Sequence, residues 1–240
     1  MVKQDQLVLG TLQVEVVRKD IKHIHLSVYP PDGRVRISAP LHMALDTIRV
    51  YAITKLDWIK SQQRKLRAQE REPVREYVDR ESHYLWGKRY LLKNVATDSA
   101  ASVRLTHSRI ELHARPGTDA EKKREILDSW YRDQIRAEIP RLLKRWEAVL
   151  GVTAKRVLVQ RMRTKWGSCN PASGNIRVNT DLARKPPACL EYIVVHELVH
   201  LLEPTHNARF QSLMDRAMPL WREIRHQLNQ LPVRHEDWDY

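Results

Sequence analysis

Three polar side chains interrupt an apolar run late in the 240-residue chain: His196, Glu197 and His200, set among Tyr192, Ile193, Val194, Val195, Leu198, Val199, Leu201 and Leu202. A helix advances about 100° per residue, so the i, i+4 spacing puts His196 and His200 on one face, about one turn apart. Two imidazoles so placed can grip one Zn2+ ion at about 2.0–2.1 Å each. Glu197 stands one step round the helix. From there it reaches a water on that ion without competing for the ion, which is the position of a general base. The chemistry implied is hydrolysis: the metal lowers the pKa of water toward ~7, Glu197 takes the proton, and the resulting nucleophile attacks a polarised carbonyl. A cluster of satisfied core polar groups is the plainer alternative. Buried polar groups without partners cost roughly 1–3 kcal/mol apiece, so three on one apolar helix call for a reason.

A catalytic zinc needs a third protein ligand and an open fourth position. His206 lies six residues after His200, and an unbroken helix would carry it about 120° off the ligand face. Pro204 is expected to end the helix first and let the chain return His206 to the site. Glu203 and Glu223 compete for the same role, since a carboxylate can also complete such a site; His206 is preferred.

The elements around this helix read as α+β. Leu12 to Val17 and His23 to Tyr29 alternate as strands, Pro30-Pro31-Asp32-Gly33 is a turn, and Arg34 to Ser38 returns, a hairpin signature. Asp46 to about Glu70 is expected as one helix with a basic trailing end, and Glu72-Pro73 breaks it. Short β-like pieces fill Val74 to Leu112, and Pro116-Gly117 marks a boundary. A long helix is expected from Asp119 to about Leu150, with Pro140 placed to bend it and Gly151 as its cap. Val157 to Met162 reads as a strand, Trp166-Gly167-Ser168 as the start of a turn, and Asn175 to Asn179 as the returning partner. Pro186-Pro187 opens the metal-ligand helix. A last helix is expected from about Asn207 to Gln230, with a bend at Pro219. No internal repeat is visible. The expected organisation is an N-terminal β-rich domain over 1–117 and a mainly helical catalytic domain with a small sheet over 118–240.

Composition narrows the class. Hydrophobic residues make up 42% and charged residues 30%, which is globular composition. No apolar run approaches the roughly 20 residues of a membrane-spanning helix, and the first residues carry no secretory pattern, so a cytoplasmic protein without membrane partners is expected. Cys169 and Cys189 have no CxxC partner and read as reduced thiols. The net charge of +13 favours anionic partners, and any contact with nucleic acid or nucleotides is expected to be weak and non-specific. With one phenylalanine, Phe210, and seven tryptophans, tryptophan is a main aromatic packing residue.

The stretch HELVHLLEPTHNARF, preceded by RMRTKWGSCNPASGNIRVNT, resembles the YgjP-like metallopeptidases, relatives of the SprT and WLM proteases in the zincin clan. The resemblance is strong from about Val157 to Leu228, with weaker matches at His25 to Ala39, Lys55 to Ile59 and Leu85 to Gly87. It implies a zinc peptidase with His196, His200 and His206 as ligands, Glu197 as catalytic acid/base, and a protein or peptide substrate. Glu203 stands where metzincins carry glycine, and no Met-turn follows. The second matching motif holds Arg161, Arg163, Trp166 and Ser168. By analogy Trp166 lines the substrate cleft and Arg161 or Arg163 steadies the oxyanion, while Ser168 reads as an ordinary turn residue. Two other functions stay open at this point: a zinc-dependent hydrolase of nucleoside triphosphates, and a protease brought to DNA by its basic surface.

Overall fold

The computed structural model describes residues 3–30, 32–68 and 70–234, so Pro31 of the expected turn and the last residues of the expected catalytic domain, 235–240, lie outside the described residues. Two compact units divide between Arg71 and Glu72. No helix among the described residues is long and apolar enough to cross a membrane.

The first unit is a sheet with two helices. Its strands are β1 (Lys3–Leu9), β2 (Leu12–Lys19), β3 (His25–Tyr29) and β4 (Arg34–Pro40), in the order β1-β2-β4-β3. The outer pairs are antiparallel and the central β2–β4 pair is parallel. Alternation puts Leu7, Val14, Val16, Val35 and Ile37 on one buried face, where they pack with Ile48, Ala52 and Ile59. The expected β3–β4 hairpin forms. Gly33 turns it with φ of 82°, and a Cβ there would lie 2.6 Å from the Gln63 side chain, whose amide donates to the Gly33 carbonyl at 2.8 Å. The single helix expected over 46–70 is two, α1 (Leu45–Thr54) and α2 (Leu56–Ala68). Lys55 leaves helical geometry between them, and Ile48, Ala52 and Ile59 from both pieces reach one core.

The second unit opens with β5 (Ser82–Leu85), β6 (Lys88–Ala96), β7 (Ser102–Leu105) and β8 (Arg109–Ala114), in the order β5-β6-β8-β7. Here too the outer pairs are antiparallel and the central pair parallel, so the two four-stranded sheets share one topology that residue identities do not reveal. Then come α3 (Ala120–Leu150), a three-stranded sheet of β9 (Arg156–Gln160), β10 (Gly167–Asn170) and β11 (Asn175–Asn179), a 3-10 turn at Thr180–Arg184, and helices α4 (Pro187–Val199), α5 (Ala208–Ala217) and α6 (Trp221–Gln230). Leu92, Ile110 and Leu112 of the second sheet share one core with Leu127 and Ile135 of α3 and Val195 and Leu198 of α4. The division expected at 117 therefore falls inside this unit, because β6 and β8 bury their apolar face against α3.

Asp119 caps α3 by accepting from the Lys122 amide at 2.7 Å, and Gly151 ends it in left-handed geometry. Pro140 sits on an exposed position within α3, which remains one element. The helix expected over 207–230 is divided around Pro219 into α5 and α6. The strand pairing also differs from the expected return. β11 runs parallel to β9, with Ile176 opposite Val157, and antiparallel to β10, with Ser168 opposite Arg177. Residues 161–166 carry the chain across β11, so Gly167 and Ser168 begin an edge strand where a turn was expected.

Below this sheet Arg184 is an internal cation, its side chain 2% exposed, with Glu72, Asp128 and Asp181 carboxylates at 3.5–3.7 Å and the Tyr131 ring centroid at 4.6 Å. The surrounding acids hold its pKa above the ordinary arginine value against the cost of burial. Arg234 adds a two-point contact to Asp128 at 2.9 and 3.0 Å. Removing one member of a buried ionic cluster leaves the others uncompensated. Arg184→Met is expected to destabilise the second unit by about 3–5 kcal/mol, measured by urea unfolding; a loss under about 1 kcal/mol would contradict that role for the cluster.

Candidate metal centre

Pro187 opens α4 at its first turn, and apolar side chains bury most of the helix, including Val194, Val195, Leu198 and Val199. Glu197 is 4% exposed, while His196 and His200 are partly exposed. The helix ends at Val199, earlier than the expected stop at Pro204, with His200 as its C-cap. The His200 amide still donates to the His196 carbonyl at 3.3 Å, so the one-turn spacing of the two imidazoles survives.

Side-chain caps build the turn after α4. Glu203 Oε1 accepts from the Thr205 hydroxyl at 2.8 Å and its amide at 3.2 Å, which holds the Glu203 carboxyl below its ordinary pKa. Asn207 donates to Thr205 Oγ1 at 3.1 Å and accepts the Phe210 amide at 3.0 Å, capping α5. Between these caps His206 returns to α4, with its Nε2 3.0 Å from His196 Nε2. Glu203 is spent on the turn and Glu223 is exposed on α6; neither belongs to the cluster.

His196, His200 and His206 each offer a nitrogen within 4.8 Å of the others'. Their ring centroids lie 4.7–5.0 Å apart, and Phe210, 1% exposed, packs against all three at 4.7–4.9 Å. His200 Nδ1 lies 3.0 Å from the Glu203 carbonyl, an arrangement that keeps its proton there and leaves Nε2 free as a ligand. Burial, together with the neighbouring His200 and His206, pushes His196 down to about 3, so it is neutral, the ligating form. Two nitrogens about 2.05 Å from one ion at a tetrahedral angle would sit about 3.4 Å apart. The donor set therefore fits a metal ion.

Glu197 is held against β10. Gly167 carries no side chain, and a Cβ on it would meet Glu197 Oε1 at 2.6 Å and Ile193 Cγ2 at 2.8 Å. Burial raises the Glu197 carboxyl to about 8, opposed by the Lys165 charge. A dication beside it acts in the opposite direction and favours the carboxylate, the form that accepts a proton. The connection before β10 is pinned by Asn179, whose amide donates to the carbonyls of Met162 at 2.8 Å and Lys165 at 2.9 Å.

The cleft has a volume of about 570 Å³ and is lined by Trp166, His196, Glu197 and His206, as expected, together with Lys165, Gly167, Tyr192, Phe210, Trp221 and Arg225. Arg161 and Arg163 lie on the same connection but are not among its lining residues. Sequence reading does not single out Lys165, Gly167, Tyr192, Trp221 or Arg225 as cleft residues. Tyr192 alone has a local signal, since it precedes His196 by one helical turn.

The profile described as "YgjP-like, metallopeptidase domain" matches residues 22–231. The chain belongs to that family. As a member of this metallopeptidase family it is a metallohydrolase, and the family implies a metal ion and protein or peptide substrates. Two crystal structures of metallopeptidase zymogens are similar to part of this YgjP-like chain. Abylysin of Pyrococcus abyssi is 21% identical, with 38% of this chain and 90% of that chain covered and a TM-score of 0.35. Jannalysin of Methanocaldococcus jannaschii is 19% identical, with 38% and 94% covered and a TM-score of 0.35. None of the curated proteins compared matches the chain.

Three variants test how this site is built. His196→Ala or His206→Ala is expected to lower metal content sharply in elemental analysis, and full retention in both would refute the ligand set. Gly167→Ala forces Glu197 and Ile193 away from β10, a strain of about 1–3 kcal/mol in a packed region. It should lower the melting temperature while leaving metal content near wild type, because all three histidines lie on other elements.

Proposed function

We propose that this YgjP-like protein is a zinc endopeptidase in which His196, His200 and His206 hold the ion and Glu197 is the general base. The observation that carries this reading is one juxtaposition: three imidazole nitrogens within 4.8 Å of one another beside a buried carboxyl, with His196, His206 and that carboxyl lining one cleft. A zinc ion held there supplies a Lewis acid that lowers the pKa of water to ~7 and polarises a carbonyl.

The chain's own residues perform the rest. His196, His200 and His206 would hold such an ion. Glu197, neighbour of His196 on α4 and fixed by contact with Gly167, accepts the proton of the attacking water and can deliver it to the leaving amine. Phe210 and Ile193 keep the carboxyl and imidazoles in a largely apolar surround, which strengthens every electrostatic interaction in the cleft. β10 is the edge strand of its sheet and borders the cleft through Gly167, so an extended peptide has a backbone ladder to join. Trp166, at the same border, would contact its side chains. Family membership favours a peptide over a phosphoanhydride as the bond cleaved.

Glu197→Gln separates chemistry from architecture, since it keeps size and much of the hydrogen-bonding geometry but removes the proton acceptor. Zinc content and melting temperature should stay near wild type, while hydrolysis of casein or a peptide library falls by about 10²–10⁴. A Glu197→Gln protein that retains zinc and full activity would defeat the mechanism.

A further inference from the structure

The cleft is asymmetric in charge. Lys165 and Arg225 line it, and Glu197 is the sole acid that does so among the described residues. Lys165 acts on Glu197 itself and has a local counter-charge. Arg225 does not: among the described residues it makes no ion pair with any acid, and its charge is felt by His196, His206 and Tyr192, all uncharged groups or cations when protonated. A guanidinium beside a metal-binding cluster repels a bound dication, and that repulsion is relieved when an anion joins them.

The location of Arg225 says which anion. It lies on α6 and lines both the cleft at the histidines and an adjoining hollow of about 380 Å³ that contains none of the three histidines and no acid. Trp221, which lines both spaces, is stacked on Tyr192 with ring centroids 6.4 Å apart and planes 9° from parallel. A hydrogen bond from its indole to Asp215 at 2.8 Å fixes that ring. The junction thus offers a planar two-point donor beside a rigid aromatic wall, the recognition chemistry of a carboxylate carried on a peptide.

We propose that Arg225 is a specificity-determining residue that binds a carboxylate of the peptide substrate, lodged at the junction of the two spaces with Trp221 and Tyr192 as its apolar wall. The carboxylate is either an acidic side chain near the scissile bond or the peptide's C-terminus. This inference rests on the peptidase reading and extends it to substrate class. The oxyanion of the reacting carbonyl is the competing anion, and it predicts different kinetics.

Zinc-loaded Glu197→Gln protein, which should bind without turnover, is titrated with fluorescein-labelled peptides that differ only in Glu against Gln at scanned positions, each with a free or an amidated C-terminus. Carboxylate-bearing peptides should bind about tenfold or more tightly at low salt, the range of a charge-assisted hydrogen bond. The Glu/Gln arm and the acid/amide arm identify which carboxylate is used. Adding Arg225→Met should abolish the preference, and Arg225→Lys should keep part of it, with zinc content unchanged in both. Equal binding of charged and neutral peptides, or a preference that survives Arg225→Met, would overturn the inference. In the otherwise wild-type enzyme, Arg225→Met should raise KM for acidic peptides alone; a uniform fall in kcat for every peptide would also overturn it and place Arg225 at the oxyanion. Failure of the wild-type enzyme to cleave any peptide would instead defeat the hydrolysis reading, and the binding comparison separates the two failures.

Discussion

A helix buried on nearly every side has few routes by which its polar residues can reach solvent, and the architecture of the second unit follows from that constraint on α4. Val194, Val195, Leu198 and Val199 are buried, with the second sheet and α3 in the same core, and the remaining sector holds His196, Glu197 and His200. Water and substrate reach α4 through a cleft bounded by β10, α5 and α6. An ordinary side chain laid over this sector would close off the two partly exposed imidazoles and crowd the buried Glu197 carboxyl. Gly167 resolves the conflict on one side, approaching α4 closely enough to hold Glu197 while adding no atoms to the cleft.

The third histidine reaches the site by a different device. α4 gives way at His200, and the next seven residues turn back through Glu203, Thr205 and Asn207, each accepting a hydrogen bond from a donor of the turn itself or of the first turn of α5. Phe210 then packs against all three imidazoles. The chain's single phenylalanine is thus part of the floor of the centre.

Burial and charge divide labour within the same unit. Arg184 draws Glu72, Asp128 and Asp181 into one internal cluster with Arg234, and Lys185 reaches the Pro232 carbonyl, so the segment after α6 is tied back to the body of the unit. Trp146 and Arg145 on α3 both donate to Glu191 on α4, at 2.9 and 3.0 Å. These contacts hold the scaffold under the cleft, whereas Lys165 and Arg225 are kept at its surface. The first unit repeats the strand order of the second unit's larger sheet, although no repeat is visible in the residues. Strand order is set by backbone pairing and alternating burial, which many different residues satisfy.

Much of the histidine cluster was legible in the residues. The i, i+4 histidines and the adjacent glutamate are local patterns, and the fixed geometry of a helical turn converts them into positions in space, whereas the helix stops at Val199, before the proline expected to end it. The α+β class, the β3–β4 hairpin and the Gly151 cap of α3 were legible for the same reason, since each depends on neighbours within a few residues. Tertiary structure decided the rest. The unit boundary lies at Arg71 because β6 and β8 bury their apolar face on α3, a pairing of segments that no local pattern announces. Gly167 reads locally as a turn residue and becomes part of the cleft wall once β10 crosses to the free edge of β11. Arg225 looks like one more surface cation among 42 lysines and arginines. It reaches the cleft only when the chain, having turned through α5, sets α6 beside it, because proximity between residues distant in sequence is created by packing alone.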